Sequence, residues 1–360
     1  MNYQVIGEAV DRLITVPMSN WTILKGLPLT KVYEYARAKT GQPLTMKVAQ
    51  ELHRRVGPGD VVLILTGFVI ANWNRPETDG PVGAAALARS LDLGLNAVPV
   101  IMCEDIIVEN VRSTCNAAGL ITCETIEEVR KGGRGRKVLV LGFPVDAVEA
   151  KKEAVRILDQ LDPKAVISVE RPGWNEKGVH HSGMGYNISD ITAKLDYLFI
   201  EAQQRSIFTV GIGDLGNELG MGYVKESVRE NIPGAEKCLC SCGGGVACDV
   251  SADVGIICNI SNWGAYGVCA CLAAICGEHE ILHDAQTERR MISECVNAGA
   301  LDPVSGMLRP YVDGEPDIIN AHVIDMLQGI ISHMTDGSIF TKSYRDTWLK
   351  KKAELDSLGV

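Results

Sequence analysis

The sequence predicts an α/β fold, with a mostly parallel sheet covered by helices on both faces. Three patterns carry that prediction. Short, nearly unbroken apolar runs rich in Val and Ile recur along the chain, as strands buried on both faces require. Segments of helical periodicity separate them, the alternation that builds crossover units. Polar, Gly-rich turns follow several of the runs, at the sheet edge where such folds hold their ligands.

In chain order, the first ~55 residues read as helical segments leading into the sheet. Strands are expected at Val61–Thr66, Ala97–Met102, Lys137–Leu141, Ala165–Glu170, Tyr197–Glu201, Ile207–Gly211 and Val254–Cys258, all β-branched or aromatic runs. Helices are expected between them at Gly83–Leu91, Glu104–Ala117, Ile126–Lys131, Asp146–Gln160 and Ile188–Leu195. After the last strand, Ala265–Cys276, Thr287–Ala298, Asp317–Met334 and Ser343–Leu358 read as helices. The result is a Rossmann-like layered architecture. Residues 1–56 are expected as a helical segment packed on a core formed by residues 57–360, with C-terminal helices completing it. No internal repeat or low-complexity linker divides the chain.

A chain of 360 residues with 46% hydrophobic and 22% charged residues has ample core. Net charge is −10, and the one basic knot, 132–137 (GGRGRK), reads as a solvated turn, so nucleic acid is not an expected partner. No apolar run reaches membrane-spanning length. The opening MNYQVIGEAVDRL carries early acidic residues and lacks the apolar core of a signal peptide, so a cytoplasmic location is expected. The 12 cysteines are therefore expected as thiols. Four fall within Cys238–Cys248, without C-x-x-C spacing or a histidine nearby in sequence, and read as packing or loop thiols before a metal centre.

The most informative stretch is Gly211–Gly222 (GIGDLGNELGMG), five glycines in twelve residues after a strand-like run. Glycine lets the backbone pass close to a ligand, and Asp214, Asn217 and Glu218 place oxygen-bearing side chains in the turn. A capped strand-to-helix connection is the alternative. Three other turns share that sheet edge: Thr66-Gly67-Phe68 running on to Glu77-Thr78-Asp79-Gly80-Pro81, then Glu170-Arg171-Pro172-Gly173, then Ser261-Asn262-Trp263-Gly264. Thr78 or Asp79 can cap a helix opening at Pro81. Helix N-termini there attract anions, so the expected ligand is a small anion such as a carboxylate or phosphate. His181 lies in a loop where an imidazole moves protons at neutral pH or is merely solvated. Asp79, Asp214 and Glu218, with Asn217, offer hard oxygen donors for Mg²⁺ or Mn²⁺. Asp313, before Gly314, reads most simply as a turn residue.

Taken together, from about Val61 to about Met334, these motifs resemble the D-glutamate cyclase family. The resemblance implies conversion of D-glutamate to 5-oxo-D-proline and water, supported by a divalent metal, typically manganese. It departs from the family's pattern at Leu215, where Gly is common, at Met184, where Arg is usual, and at Asp302-Pro303 in place of Asp-Gly. Under this reading Glu170, His181, Asp214 and Glu218 are catalytic candidates. Thr66, Gly67, Thr78, Asp79, Gly80, Arg171, Gly213, Asn217, Ser261 and Asn262 are substrate-binding candidates, with Arg171 and the helix starts at Gly80 and Gly264 gripping carboxylates. Asp214, Asn217 and Glu218 are the expected ligands of Mn²⁺ or Mg²⁺. The expected partner is a small anionic substrate, D-glutamate, with homo-oligomerisation left open. Two other classes remain: a metal-dependent phosphatase or phosphotransferase, which would need an Asp-x-Asp strand end that is missing here, and a non-catalytic sensor of an acidic metabolite.

Overall fold

Three helices open the chain: α1 (Tyr3–Ile14), α2 (Gly26–Thr40) and α3 (Leu44–Arg55). The computed structural model describes residues 2–18, 26–131, 135–335 and 339–357; part of the basic knot, residues 132–134, and Leu358 lie outside that range. Asp11 ties the opening helices together. Its carboxylate accepts from the Leu44 N–H (2.6 Å), the Thr45 N–H (3.1 Å) and the Tyr33 hydroxyl (3.1 Å), so α1 caps α3 and holds α2.

The strands and helices that follow are β1 (Val61–Thr66), β2 (Val69–Ile70), β3 (Arg75–Pro76), α4 (Pro81–Leu95), β4 (Val98–Glu104), α5 (Val108–Ala117), β5 (Ile121–Cys123), α6 (Ile126–Arg130), β6 (Lys137–Phe143), α7 (Ala147–Leu161) and β7 (Ala165–Val169). Then come α8 (Leu195–Gln204), β8 (Phe208–Gly213), α9 (Lys225–Asn231), β9 (Val254–Ile257), α10 (Ser261–Cys276), α11 (Ala285–Asn297), the hairpin β10 (Tyr311–Val312) and β11 (Glu315–Pro316), α12 (Asp317–Thr335) and α13 (Ile339–Ser357).

Seven strands form one sheet, ordered β5-β6-β4-β1-β7-β8-β9, and every pairing in it is parallel. The α/β class follows, with β1 and β7 buried at every residue. Right-handed crossovers fix the layers. From β1 the chain steps one way through α4 to β4, and from β7 it steps the other way through α8 to β8. Hence α4 and α8 cover opposite faces, α4 packing with α5 and α10, and α8 with α7. The strand order reverses at β1 and β7, and the crevice beyond their carboxyl ends is where such sheets bind ligands.

The α10 helix is buried along almost its whole length, because α1, α3, α4 and α12 all pack around it. The helices α1, α2 and α3 therefore share one apolar core with the sheet.

Three segments differ from the sequence expectation. Tyr197–Glu201 belongs to the helix α8 rather than to a strand: the buried positions Leu195, Leu198, Phe199 and Ala202 follow helical spacing. The helix expected at Ile188–Leu195 is a single 3₁₀ turn, Ser189–Ile191, followed by extended chain. Glu104 ends β4, and the helix proper starts at Val108. All 12 cysteines are free thiols, and Cys238–Cys242 runs through bends and turns.

Candidate active site

The starts of α4 and α10 cap each other. Asp79, just before α4, accepts the N–H groups of Ser261 (Oδ2, 2.8 Å) and Asn262 (Oδ1, 2.8 Å) at the start of α10. In return the Asn262 Oδ1 accepts from Gly80 (2.9 Å) and Gly83 (2.7 Å), and its Nδ2 donates to the Thr78 carbonyl (3.2 Å). Each helix start thus has two of its backbone donors satisfied by the other. Gly80 is a glycine because φ is +95° and an added Cβ would lie 2.8 Å from Thr66 Oγ1 and 3.1 Å from Glu170 Cβ. The sheet ends and the paired helix starts are that close.

Arg171 is fully buried beneath this frame. It pairs with Glu104 (2.5 Å) and donates to the carbonyls of Gly67 (2.9 Å) and Ala193 (2.6 Å). Glu104 also accepts the Ala193 N–H (3.0 Å). The guanidinium is committed to holding the ends of β1, β4 and β7 together, and the carboxylate-gripping role expected for it does not fit this position. The same holds for the helix starts at Gly80 and Gly264, whose donors are taken within the protein.

In the Gly211 turn Glu218 folds back under the backbone. Its carboxylate accepts the N–H groups of Asp214 (3.0 Å), Leu215 (2.8 Å) and Gly216 (2.7 Å). Gly213 makes room for it: an added Cβ would sit 2.5 Å from Glu218 Oε2. Glu218 shapes the turn, which aims Asp214 outward.

Above the frame lies a cavity of about 270 Å³. Its buried part presents Glu77, Glu170, Asp214 and Asn217, joined by Asp313; its outer part includes Phe68, Trp73, Met184, Tyr186, Leu215 and Val304. The lining therefore carries four carboxylates, and among its described residues there is no Lys or Arg. Oxygens of Asp79, Asp214 and Asp313 lie within 4.8 Å of one another, as do those of Glu170, Asp214 and Glu218. Asp214 is common to both groups. Burial holds the Glu170 carboxyl well above the usual range, and the charges of Asp214, Glu218, Asp79 and Glu77 add to the rise. The Ser261 hydroxyl donates to Glu170 Oε2 and fixes it. Glu170 also has φ +42°, a left-handed conformation unusual for a non-glycine residue and found most often at functional sites.

Of the sequence candidates, Glu170, Asp214 and Asn217 face the cavity. Thr66, Gly67, Thr78, Asp79, Gly80, Arg171, Gly213, Glu218, Ser261 and Asn262 build the frame below it. The Thr66 hydroxyl donates to the Val169 carbonyl (2.9 Å) and that of Thr78 to the Tyr311 carbonyl (2.7 Å). His181 turns away: its Nε2 lies 3.2 Å from Cys240 Sγ, and burial pushes the imidazole's pKa down. As an acid or base for a molecule in the cavity it is misplaced. Sequence reasoning placed Glu77 in a turn motif and Asp313 in a turn without choosing either as a site residue, and gave Glu104 no role. Asp313 sits at φ +51° in the two-residue Asp-Gly turn between β10 and β11, and buried Asp302 secures that turn through the Gly314 N–H (2.8 Å).

A largely buried set of hard oxygen donors converging on Asp214, with no cationic side chain among the described lining residues, fits Mg²⁺ or Mn²⁺ better than a thiophilic metal.

Residues 31–328 match the D-glutamate cyclase-like, C-terminal family. The chain belongs to that family. It is similar to the human protein named D-glutamate cyclase, mitochondrial, at 29% identity over 304 residues. That alignment covers 76% of this chain and 46% of the human protein, so the chain spans less than half the length of its relative. The family match runs from α2 into α12, and so includes every residue of the frame and cavity described above. No helix among the described residues is long and apolar enough to cross a membrane.

Proposed function

We propose that this member of the D-glutamate cyclase-like family closes D-glutamate into 5-oxo-D-proline, releasing water, with Mn²⁺ or Mg²⁺ bound at the carboxylate cavity. The observation that carries this reading is the cavity itself: four carboxylates and an amide, with no Lys or Arg among the described lining residues. Such a lining repels a substrate bearing two carboxylates unless a cation is present, yet it suits the substrate's ammonium group. When bound, a divalent cation held by Asp214 with Asp79 and Asp313 supplies the charge that attracts those carboxylates and polarises the γ-carboxyl group.

The remaining work falls to the chain. Glu170 in its ionised form, made a stronger proton acceptor by burial and the neighbouring carboxylates, takes a proton from the α-ammonium. The freed amine attacks the γ-carbon, a C–N bond forms, and a C–O bond breaks. Two protons leave nitrogen and depart with that oxygen as water, Glu170 returning what it received. Because the attack is intramolecular, holding the substrate folded removes much of the entropic barrier, and the apolar outer cavity excludes competing water. Ser261 keeps the Glu170 carboxyl in place.

Turnover by Glu170→Gln and Asp214→Asn tests the reading. Both are expected to lose at least about 10²-fold in kcat while keeping the wild-type fold. Unchanged turnover in either variant would remove that residue from the chemistry.

A further inference from the structure

His181, Cys238, Cys240 and Cys242 come together away from the cavity. Their Nε2 and Sγ atoms all lie within 4.8 Å of one another. The Cys238 sulfur lies 3.5 Å from Cys240 and 3.3 Å from Cys242, and His181 Nε2 lies 3.2 Å and 3.6 Å from Cys240 and Cys242. Zinc–sulfur and zinc–nitrogen bonds imply tetrahedron edges of about 3.8 Å between sulfurs and about 3.5 Å between sulfur and nitrogen. The separations match such edges within about half an ångström, and are far too long for a disulfide. Two donors already point at one of the sulfurs: Asn175 Nδ2 and the Gly244 N–H each lie 3.4 Å from Cys242 Sγ. Donors of this kind support a thiolate and are typical of the shell outside a metal's own ligands. Cys103, Cys115, Cys258, Cys269, Cys271 and Cys295 are buried in the same apolar core that Cys238 joins, but none of them belongs to such a group of ligand atoms among the described residues.

We propose that His181, Cys238, Cys240 and Cys242 form a closed Cys₃His site for a structural zinc ion. Three thiolates and a neutral imidazole leave no open position, so the ion braces the fold and performs no chemistry. What it braces is specific. The His181 carbonyl accepts from Asn217 Nδ2 (3.0 Å), and the next residues, Ser182, Gly183 and Met184, line the cavity. The site pins one cavity wall to the 238–242 loop, through a contact that spans 59 positions of the sequence between His181 and Cys240. This inference does not rest on the cyclase reading.

The test is the metal content of the full chain, purified under reducing conditions without chelator. We expect about one zinc per chain, released on titration with a mercurial, retained in Asp214→Asn and lost in Cys240→Ser/Cys242→Ser. Should the double variant fail to fold, the wild-type protein reloaded with Co²⁺ answers instead. Intense thiolate-to-cobalt charge transfer with tetrahedral ligand-field bands is expected. Substoichiometric zinc, zinc that follows Asp214 rather than the cysteines, a disulfide among these cysteines, or a cobalt spectrum without thiolate bands would each overturn the proposal.

Discussion

Arg171→Met is expected to damage folding rather than substrate affinity. The side chain is fully buried, as is its partner Glu104, so the pair is not screened by solvent. Removing the guanidinium strands the Glu104 carboxylate, leaves the Gly67 carbonyl without its donor and takes one of two donors from the Ala193 carbonyl, which keeps the Leu195 N–H. Breaking one side of a buried pair costs about 3–5 kcal/mol. With an unfolding entropy of about 2.1 cal/mol/K per residue over 360 residues, a loss of about 4 kcal/mol lowers Tm by about 5 °C. Chemical denaturation of the wild type, Arg171→Met, Glu104→Gln and the double variant forms the assay. The double variant should recover part of the loss, with a coupling of about 2 kcal/mol, because it no longer buries a lone charge. The reasoning is refuted if Arg171→Met keeps wild-type stability while KM rises, the result expected of a carboxylate clamp.

Three other outcomes follow from the same geometry. Asn262→Ala, which uncaps α4 at Gly80 and Gly83, should cost about 2 kcal/mol in urea unfolding, whereas substitutions on exposed helix faces should cost little. Burial raises the Asp196 carboxyl, but the His180 ring and the Trp174 N–H outweigh it and hold the carboxyl below its usual range. A lowered folded-state pKa stabilises above the unfolded value of about 3.9 and stops doing so as pH falls through the folded one, so the roughly 3 kcal/mol by which Asp196→Asn is less stable at neutral pH should shrink below about pH 4. Asp313→Asn should weaken Mn²⁺ binding at least about tenfold by titration calorimetry without lowering Tm, because Asn also tolerates the left-handed backbone at that turn.

The sheet was legible because strands buried on both faces must be almost wholly apolar, and β1, β7 and β8 are buried at every residue with one polar residue each. Polar residues immediately beyond such strands had to lie at the sheet edge, which brought Glu170 and Asp214 to the cavity. The direction each side chain takes was not legible. Ser261 and Asn262 have the residue types of a ligand-binding turn, yet they bond within the protein, because two helix starts meet at the crevice and each needs a cap. Arg171 resembled a clamp because Glu104, which neutralises it, lies on a different strand. Asp313 was visible only as a turn residue, since the Asp-Gly pair specifies a hairpin but not where that hairpin packs. Tyr197–Glu201 misled through its aromatic and apolar content, when the spacing of its buried positions marks a helix. The meeting of His181 with three cysteines depends on a loop contact that no local pattern records.

The central claim is tested most directly by incubating the purified chain with D-glutamate, and separately with L-glutamate, with Mn²⁺ or with a chelator, and following 5-oxoproline by chiral chromatography. The account predicts 5-oxo-D-proline from the D-isomer, formed with Mn²⁺ and suppressed by the chelator. No product from D-glutamate under any of these conditions, or equal turnover with and without metal, would contradict it.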